Sequence, residues 1–256
     1  MSVNVGNKLI SEHLLYCIDA ANRQSYVGVG SKVECLSSDV SSNLINTVMS
    51  SENKGTFIFD GYSDRIEINE MTSFNNLLLN SSFNIWIRPS STGYQWCYTK
   101  SAAYYPVVGL RYHAPGSSGP SGNPSPSKCY SVITSKAQTR RFQIYTTGTD
   151  FNEEWTNVCV TKSDGGNTLN NYNIKIYVNG INQNLIIGEN TSLSQDDMWL
   201  DNILDINMFN LASLYRAPVQ EMYTETKISF FSIYAKTLTD DEVLRNYNAQ
   251  KGRFGL

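Results

Sequence analysis

Short runs of alternating apolar and polar residues recur along the chain, with turn residues between them. The run Phe83–Arg88 places three apolar residues on one face and Asn84, Trp86 and Arg88 on the other. Pro89 closes this run, because proline cannot donate to a strand ladder. A period of two is the signature of a half-buried strand. Further strands are predicted at Thr56–Phe59, Arg65–Ile68, Arg141–Tyr145 and Asn157–Thr161.

The strongest turn signal is Asn179-Gly180, which follows the strand pattern Asn173–Val178. Asn-Gly favours a tight hairpin turn. We expect the alternate apolar residues of this strand to point inward and Lys175 and Tyr177 to point outward. The segment Asn184–Ile187 is predicted to be the returning strand.

The last eighteen residues predict a short helix that follows a final strand at Lys227–Tyr234. Thr239 and Glu242 form a capping box, in which each side chain binds a backbone N–H at the helix start. Asp240 and Asp241 add negative charge at the positive end of the helix dipole. Gly252 is the expected stop. The apolar stripe that should dock consists of Val243, Leu244 and Tyr247.

Many short strands, no alternation of strands with helices, and one terminal helix predict an all-β fold, a two-sheet antiparallel jelly-roll sandwich. Residues 1–256 are expected to form one domain, with a long loop rich in Pro, Ser and Gly at about 113–128. The segment 194–205 fits either a short helix or a loop over a sheet face.

The composition excludes several functional classes. Of the residues, 41% are hydrophobic and 12% aromatic, whereas 17% are charged and the net charge is −3. Without a basic run, binding to nucleic acid is not expected. No signal peptide or membrane span is visible, because no apolar segment is long enough. The five cysteines are widely spaced and form no C-x-x-C pair, so we expect reduced and mostly buried thiols.

Five stretches together resemble the laminin-G-like, concanavalin A-like jelly-roll domains. They are Leu15–Asn22 with Ser25-Tyr26, Phe57–Gly61 with Asp64–Ile68, Phe83–Pro89, Trp155–Lys162 with Ile174–Gly180, and the C-terminal block. The C-terminal block, Asn246–Gly255, is similar to the copies found in structural proteins of tailed bacteriophages. At 224–226 the chain has Thr-Glu-Thr where relatives often have glycine before the strand.

The resemblance implies a non-enzymatic virion protein: a capsid decoration protein or a fibre- or tail-associated one, made in the host cytoplasm. Its expected partners are other virion proteins, further copies of itself and a cell-surface glycan. A carbohydrate-binding, lectin-like module is the alternative. A glucanase-like hydrolase is the third hypothesis, because the fold also hosts glycosidases.

The hydrolase hypothesis requires two carboxyl groups at a defined separation. No Glu-x-Asp-x-Glu run supplies such a pair. Glu221 and Glu225 are separated by Met-Tyr-Thr, and Glu67 and Glu70 would fall on opposite faces of a strand. The two histidines, His13 and His113, are interpreted as surface or turn residues. No catalytic residue is therefore predicted.

An aromatic cluster flanks the long loop. Exposed aromatic faces stack on sugars or on a partner protein, whereas buried ones only fill the core. Both readings stay open from the sequence. The candidate ligand-binding residues are Tyr94, Trp96, Tyr98, Tyr104, Tyr105 and Tyr112.

Laminin-G-like domains often hold Ca²⁺ at a rim of the sandwich, so the resemblance makes a structural Ca²⁺ the one cofactor left open. Asp60 and Asp64 are the candidate ligands. The alternative is that Asp60-Gly61 serves the turn alone and Asp64 binds its own backbone.

Overall fold

The chain folds as two large antiparallel sheets packed face to face. In the computed structural model, the described residues are 8–68, 74, 77–78, 80–99, 107–114, 128–137, 140–147, 153–163, 173–191, 208–216 and 220–256. The predicted all-β sandwich with one short C-terminal helix is confirmed.

The first sheet has the strand order β14-β13-β12-β7-β19-β5-β4. The long strand β19 pairs with β7 on one side, while β5 and β1 share its other side. The strands are β1 (Leu14–Asp19), β4 (Val48–Ser50), β5 (Thr56–Asp60), β7 (Ser81–Pro89), β12 (Thr156–Lys162), β13 (Ile174–Val178), β14 (Ile181–Asn182) and β19 (Glu225–Tyr234).

The second sheet has the order β15-β11-β10-β9-β8-β16-β6-β3-β2. Its strands are β2 (Lys32–Glu34), β3 (Ser41–Ile45), β6 (Arg65–Ile68), β8 (Gly93–Thr99), β9 (Val107–His113), β10 (Cys129–Ala137), β11 (Arg140–Thr146), β15 (Leu185–Thr191) and β16 (Met208–Leu211). A separate hairpin, β17 (Ser213–Arg216) and β18 (Gln220–Tyr223), contacts β8.

The core lies between the two sheets and follows the predicted alternation. Phe83, Ile85 and Ile87 enter it from β7, and Trp96 stacks on Phe83 with ring centroids 4.6 Å apart. Trp86 points to the opposite face of the first sheet, as predicted. Burial of these large side chains supplies the main driving force for packing the sheets.

Helix α1 (Asp240–Gln250) covers the outer face of the first sheet. The capping box is confirmed, because Thr239 accepts a hydrogen bond from the Glu242 N–H and the Glu242 side chain accepts one from Thr239. The predicted stop at Gly252 is wrong. A 3₁₀ turn (Lys251–Phe254) continues the helix, and Gly255 ends it in the left-handed conformation at φ 77°.

The docking face of α1 also differs from the predicted apolar stripe. Leu244 is exposed, whereas Asn246 and Gln250 are buried beside Val243. The Asn246 side-chain carbonyl accepts a hydrogen bond from the Ile10 N–H, and Gln250 accepts one from the Trp86 indole at 2.7 Å. These two polar side chains accept hydrogen bonds from buried N–H groups. A pattern of apolar residues cannot predict such contacts.

The hairpin at Asn179-Gly180 forms as predicted, with φ of 51° and 79° at the two residues. The returning strand is different, because β14 (Ile181–Asn182) pairs with β13 while β15 crosses to the second sheet and pairs with β11. Tyr177 lies on the outer face of the first sheet, as predicted. It is not exposed to solvent, however, because helix α1 covers it and leaves it 1% exposed.

Candidate functional site

A cavity of about 540 Å³ lies where the edge of the first sheet meets the start of α1. The strand β13 contributes alternate residues on its outer face, and the helix contributes its first turn. The lining residues are Thr161, Ser163, Asn173, Lys175, Tyr177, Thr237, Leu238, Thr239, Asp240 and Asp241.

The geometry of this cavity follows from two local rules. Successive side chains alternate across a strand, so Asn173, Lys175 and Tyr177 share one face. The capping box fixes the first helical turn and therefore the position of Asp240 relative to that face. The two segments are more than sixty positions apart in the sequence.

Asp240 is the centre of the polar network in the cavity. Its Oδ1 accepts hydrogen bonds from the Lys175 ammonium at 2.9 Å and from the Tyr177 hydroxyl at 2.6 Å. These hydrogen bonds, that of Tyr177 first, lower the pKa of Asp240. Burial, with the nearby carboxylate, raises the pKa of Tyr177. Asp240 is thus a carboxylate, and Tyr177 a hydrogen-bond donor, at neutral pH.

Further hydrogen-bond donors and acceptors line the cavity near Asp240. The side-chain amide nitrogen of Asn173 is buried and has no hydrogen-bond partner among the described residues. The hydroxyl of Thr237 donates to the backbone carbonyl of Lys162 at 2.5 Å, and Asp241 is exposed. Within the described part of the chain, neither histidine nor cysteine lines the cavity. The arrangement offers hydrogen-bond donors and acceptors to a polar ligand.

The aromatic residues selected from the sequence lie in the interior where the structure describes them. Trp96, Tyr98 and Tyr112 are fully buried in the main core. Tyr94 is 3% exposed and packs in a small cluster with Cys97, Val107, Ile133 and Leu214. They present no exposed face on which a sugar could stack, so they follow the packing alternative. Tyr104 and Tyr105 lie outside the described residues.

Asp60 and Asp64 build the turn between β5 and β6, which carries the chain from the first sheet to the second. Asp60 Oδ1 accepts hydrogen bonds from the N–H groups of Tyr62 and Ser63 at 2.7 and 3.1 Å, which lower its pKa. Asp64 Oδ2 accepts one from the Asp60 N–H at 3.1 Å, while burial raises the pKa of Asp64.

Calcium prefers six to eight oxygen ligands. In the part of the chain that the structure describes, no cluster of three or more acidic, histidine or cysteine side chains could hold a metal ion. Backbone N–H groups engage one carboxylate oxygen of Asp60 and one of Asp64. The calcium hypothesis therefore stays a prediction without a described ligand set.

The structure does not describe Glu221 and Glu225, the acid pair considered for hydrolysis, as a common site. Glu225 is exposed at the start of β19. The side chain of Glu221 lies outside the described residues.

The cysteine prediction is confirmed: none of the five cysteines, all of which the structure describes, forms a disulfide, and all but Cys35 are buried. The prediction for His113 is wrong, because this side chain is fully buried at the end of β9. Sequence reasoning missed it because burial on the outer face of a sheet depends on what packs there, and residue spacing does not show that.

No protein-family model matches the chain, and no curated protein matches it. Solved structures do match. The receptor-binding domain of botulinum neurotoxin C/D mosaic serotype aligns over 94% of this chain and 52% of its own, with 14% identity and a TM-score of 0.62. The binding domain of botulinum neurotoxin DC in complex with SialylT aligns with 14% identity and a TM-score of 0.58.

Domain 4 of AbnA, an extracellular arabinanase of family GH43 from Geobacillus stearothermophilus in complex with arabinotriose, aligns over 91% of this chain and 98% of its own. The identity is 12% and the TM-score is 0.59. The likeness shows the fold alone. This chain spans about half the length of the matched botulinum chains, 52% for the C/D mosaic serotype.

Among the described residues, no helix is sufficiently long and apolar to cross a membrane.

Proposed function

We propose that this protein is a non-enzymatic glycan-binding module and that the cavity beside α1 is its binding site. The observation that carries the proposal is the mixed set of donors and acceptors around Asp240. Sugar hydroxyls both donate and accept, so they match such a set. A volume of about 540 Å³ lies in the range of small-molecule sites and accommodates one or two sugar rings.

The roles of the individual residues follow from their contacts. Among the described side chains, Lys175 and Tyr177 both bind Oδ1 of Asp240, so its second carboxylate oxygen can accept from a sugar hydroxyl. Asn173 offers its unpartnered amide N–H as a donor. Lys175 and Tyr177 hold the carboxylate in place. A hydrogen bond to a charged group contributes about 1.5–3 kcal/mol, so Asp240 is expected to dominate affinity.

The structural neighbours support this reading by analogy. The matched AbnA domain is in complex with arabinotriose, and a matched botulinum binding domain is in complex with SialylT. A shared fold supports a binding role for this chain, whereas the ligand must be argued from the residues of the site.

The test is calorimetry with neutral oligosaccharides chosen from a glycan array that includes arabino-oligosaccharides. We expect binding that Asp240→Asn weakens by about tenfold or more, since the charge-assisted acceptor is lost. Asp39→Asn removes the same charge at an exposed residue that does not line the cavity, and it should leave the affinity unchanged. An array without any signal would contradict the function, and binding that is insensitive to Asp240→Asn would contradict the site.

The absence of enzymatic activity is part of the proposal. We expect no release of reducing ends from laminarin or agarose. Hydrolysis that Glu221→Gln or Glu225→Gln abolishes would replace the binding module with the hydrolase hypothesis.

We further propose that the module acts on a bacteriophage virion, as an oligomeric accessory protein of the capsid or tail. The support is the resemblance of the C-terminal block, Asn246–Gly255, to copies found in structural proteins of tailed bacteriophages. Cryo-electron microscopy of purified virions tests this placement. Density that fits the sandwich on the particle is the expected result, and a particle without the protein would contradict it.

A further inference from the structure

A second polar cluster lies on the outer face of the second sheet, away from the cavity beside α1. It is formed by side chains of β9, β10 and β11. His113 and Arg111 are two residues apart on β9 and therefore share a face about 7 Å apart along the strand. Ser131 pairs with Arg111 in the neighbouring strand, and Gln143 follows on the next one.

The hydrogen bonds of this cluster determine which ring nitrogen of His113 carries the proton. The Gln143 amide nitrogen donates to Ser131 Oγ at 2.8 Å. The Ser131 hydroxyl is then free to donate to His113 Nε2, which is also 2.8 Å away. Burial and the charge of Arg111 lower the pKa of His113 to about 3, so its imidazole is neutral. Nδ1 therefore carries the proton.

Two donors of this face are left without acceptors. His113 Nδ1 is fully buried and has no hydrogen-bond partner among the described residues. The same is true of Arg111 Nε, and the guanidinium contacts the Tyr94 ring at 5.9 Å but makes no ion pair within the described part of the chain. Arg111 as a residue is partly exposed, so the cluster reaches solvent through it. A buried donor without an acceptor is costly, and an anion that reached this face would satisfy both groups.

One acceptor is also unused. Gln143 Oε1 is buried and lacks a donor among the described residues. A ligand bound at this face would offer a negative charge to Arg111 and His113 Nδ1, and a hydroxyl on the same ligand would suit Gln143 Oε1. A carboxylate with a neighbouring hydroxyl has this pattern, and it is the pattern of a sugar acid.

We propose that Arg111, His113 and Gln143 form a second binding site, one that takes a hydroxy-carboxylate such as the acidic end of a uronic acid. The site is independent of the cavity at Asp240, because it lies on the other sheet and uses positive rather than negative charge. The planar guanidinium holds the carboxylate, and the neutral imidazole donates from Nδ1.

The experiment follows the imidazole resonances of the wild-type protein by NMR during titration with sodium glucuronate, with glucose as the uncharged control. The chain has only two histidines, so a His13→Gln variant assigns the signals. We expect saturable shifts at His113 with glucuronate and none with glucose. No shift at His113 up to about 50 mM glucuronate, where even a weak millimolar site is occupied, would overturn the proposal.

Two arginine variants examine the role of the guanidinium. Arg111→Gln should weaken glucuronate binding by about tenfold or more, because a charge-assisted pair is lost. Arg23→Gln makes the same charge change at an exposed position and should have no effect. Circular dichroism shows whether each variant folds, and the wild-type titration decides the question if Arg111→Gln does not. Sulfate that binds as tightly as glucuronate would overturn the assignment to a hydroxy-carboxylate.

Discussion

Phe254 fixes the C-terminal block to the first sheet, and its removal should cost a measurable share of the stability. The ring is 8% exposed. It stacks on Trp86 with centroids 4.0 Å apart and contacts Trp155 at 5.0 Å. The same block carries Arg253, whose guanidinium donates to Asp19 at 2.6 Å and to the Gly55 carbonyl at 2.7 Å.

Phe254→Ala removes the apolar transfer energy of the ring and leaves a cavity between two tryptophans. Substitutions of buried Phe by Ala cost about 3–5 kcal/mol. The ring keeps some exposure to solvent and its site can partly collapse, so we expect about 3 kcal/mol. In a chain of this size that corresponds to a drop in Tm of roughly 6–12 °C.

Urea denaturation followed by tryptophan fluorescence and circular dichroism measures this change. Phe254→Leu keeps most of the volume and should cost about half as much. Leu256→Ala, at a residue that is 47% exposed, is the matched control and should change the free energy of unfolding by less than about 0.5 kcal/mol. A loss below about 1 kcal/mol for Phe254→Ala would refute the reasoning that this stack anchors the block.

Three further predictions concern the turns and the charges. Gly180→Ala forces a side chain into φ 79° and against the Leu244 side chain at 3.1 Å, so calorimetric melting should show a loss of about 1–2 kcal/mol. Hydrogen bonding to Lys227 is the main factor that lowers the pKa of Glu52, so its stabilisation is present above the unfolded pKa and is lost as pH falls through the folded one. Glu52→Gln should therefore flatten the fall in Tm between neutral and acidic pH, and an unchanged acid limb would contradict this. Because Asp60 and Asp64 are engaged by backbone N–H groups, EDTA should shift Tm by less than about 1 °C relative to calcium buffer; a large shift would restore the calcium hypothesis.

Local features of the sequence predict much of the fold. The alternation in Phe83–Arg88 gives the correct inward and outward faces of β7. Asn179-Gly180 gives the hairpin turn, and Thr239 with Glu242 gives the helix start. Each of these depends on neighbours within a few residues, so the information is present in the local sequence.

Features that depend on distant partners could not be predicted in this way. Strand β15 has a pattern that suits either sheet, and the crossing to β11 is decided by the whole sandwich. The interior position of Trp96 and Tyr98 likewise depends on the facing sheet. The candidate cavity needs Lys175 beside Asp240, and no spacing rule connects positions 65 residues apart.

The two proposed sites lie on opposite outer faces of the sandwich. Lys175 points away from the core residues Ile174 and Ile176 of the first sheet, as Arg111 points away from Leu110 in the second. The whole thickness of the sandwich, at least about 10 Å, therefore separates them. At that distance, the interaction between solvent-exposed charges is largely screened. The free-energy effects of mutations at the two sites are usually additive. A neutral glycan at Asp240 and a sugar acid at Arg111 are therefore expected to bind without competing, which a titration of one ligand in the presence of the other measures.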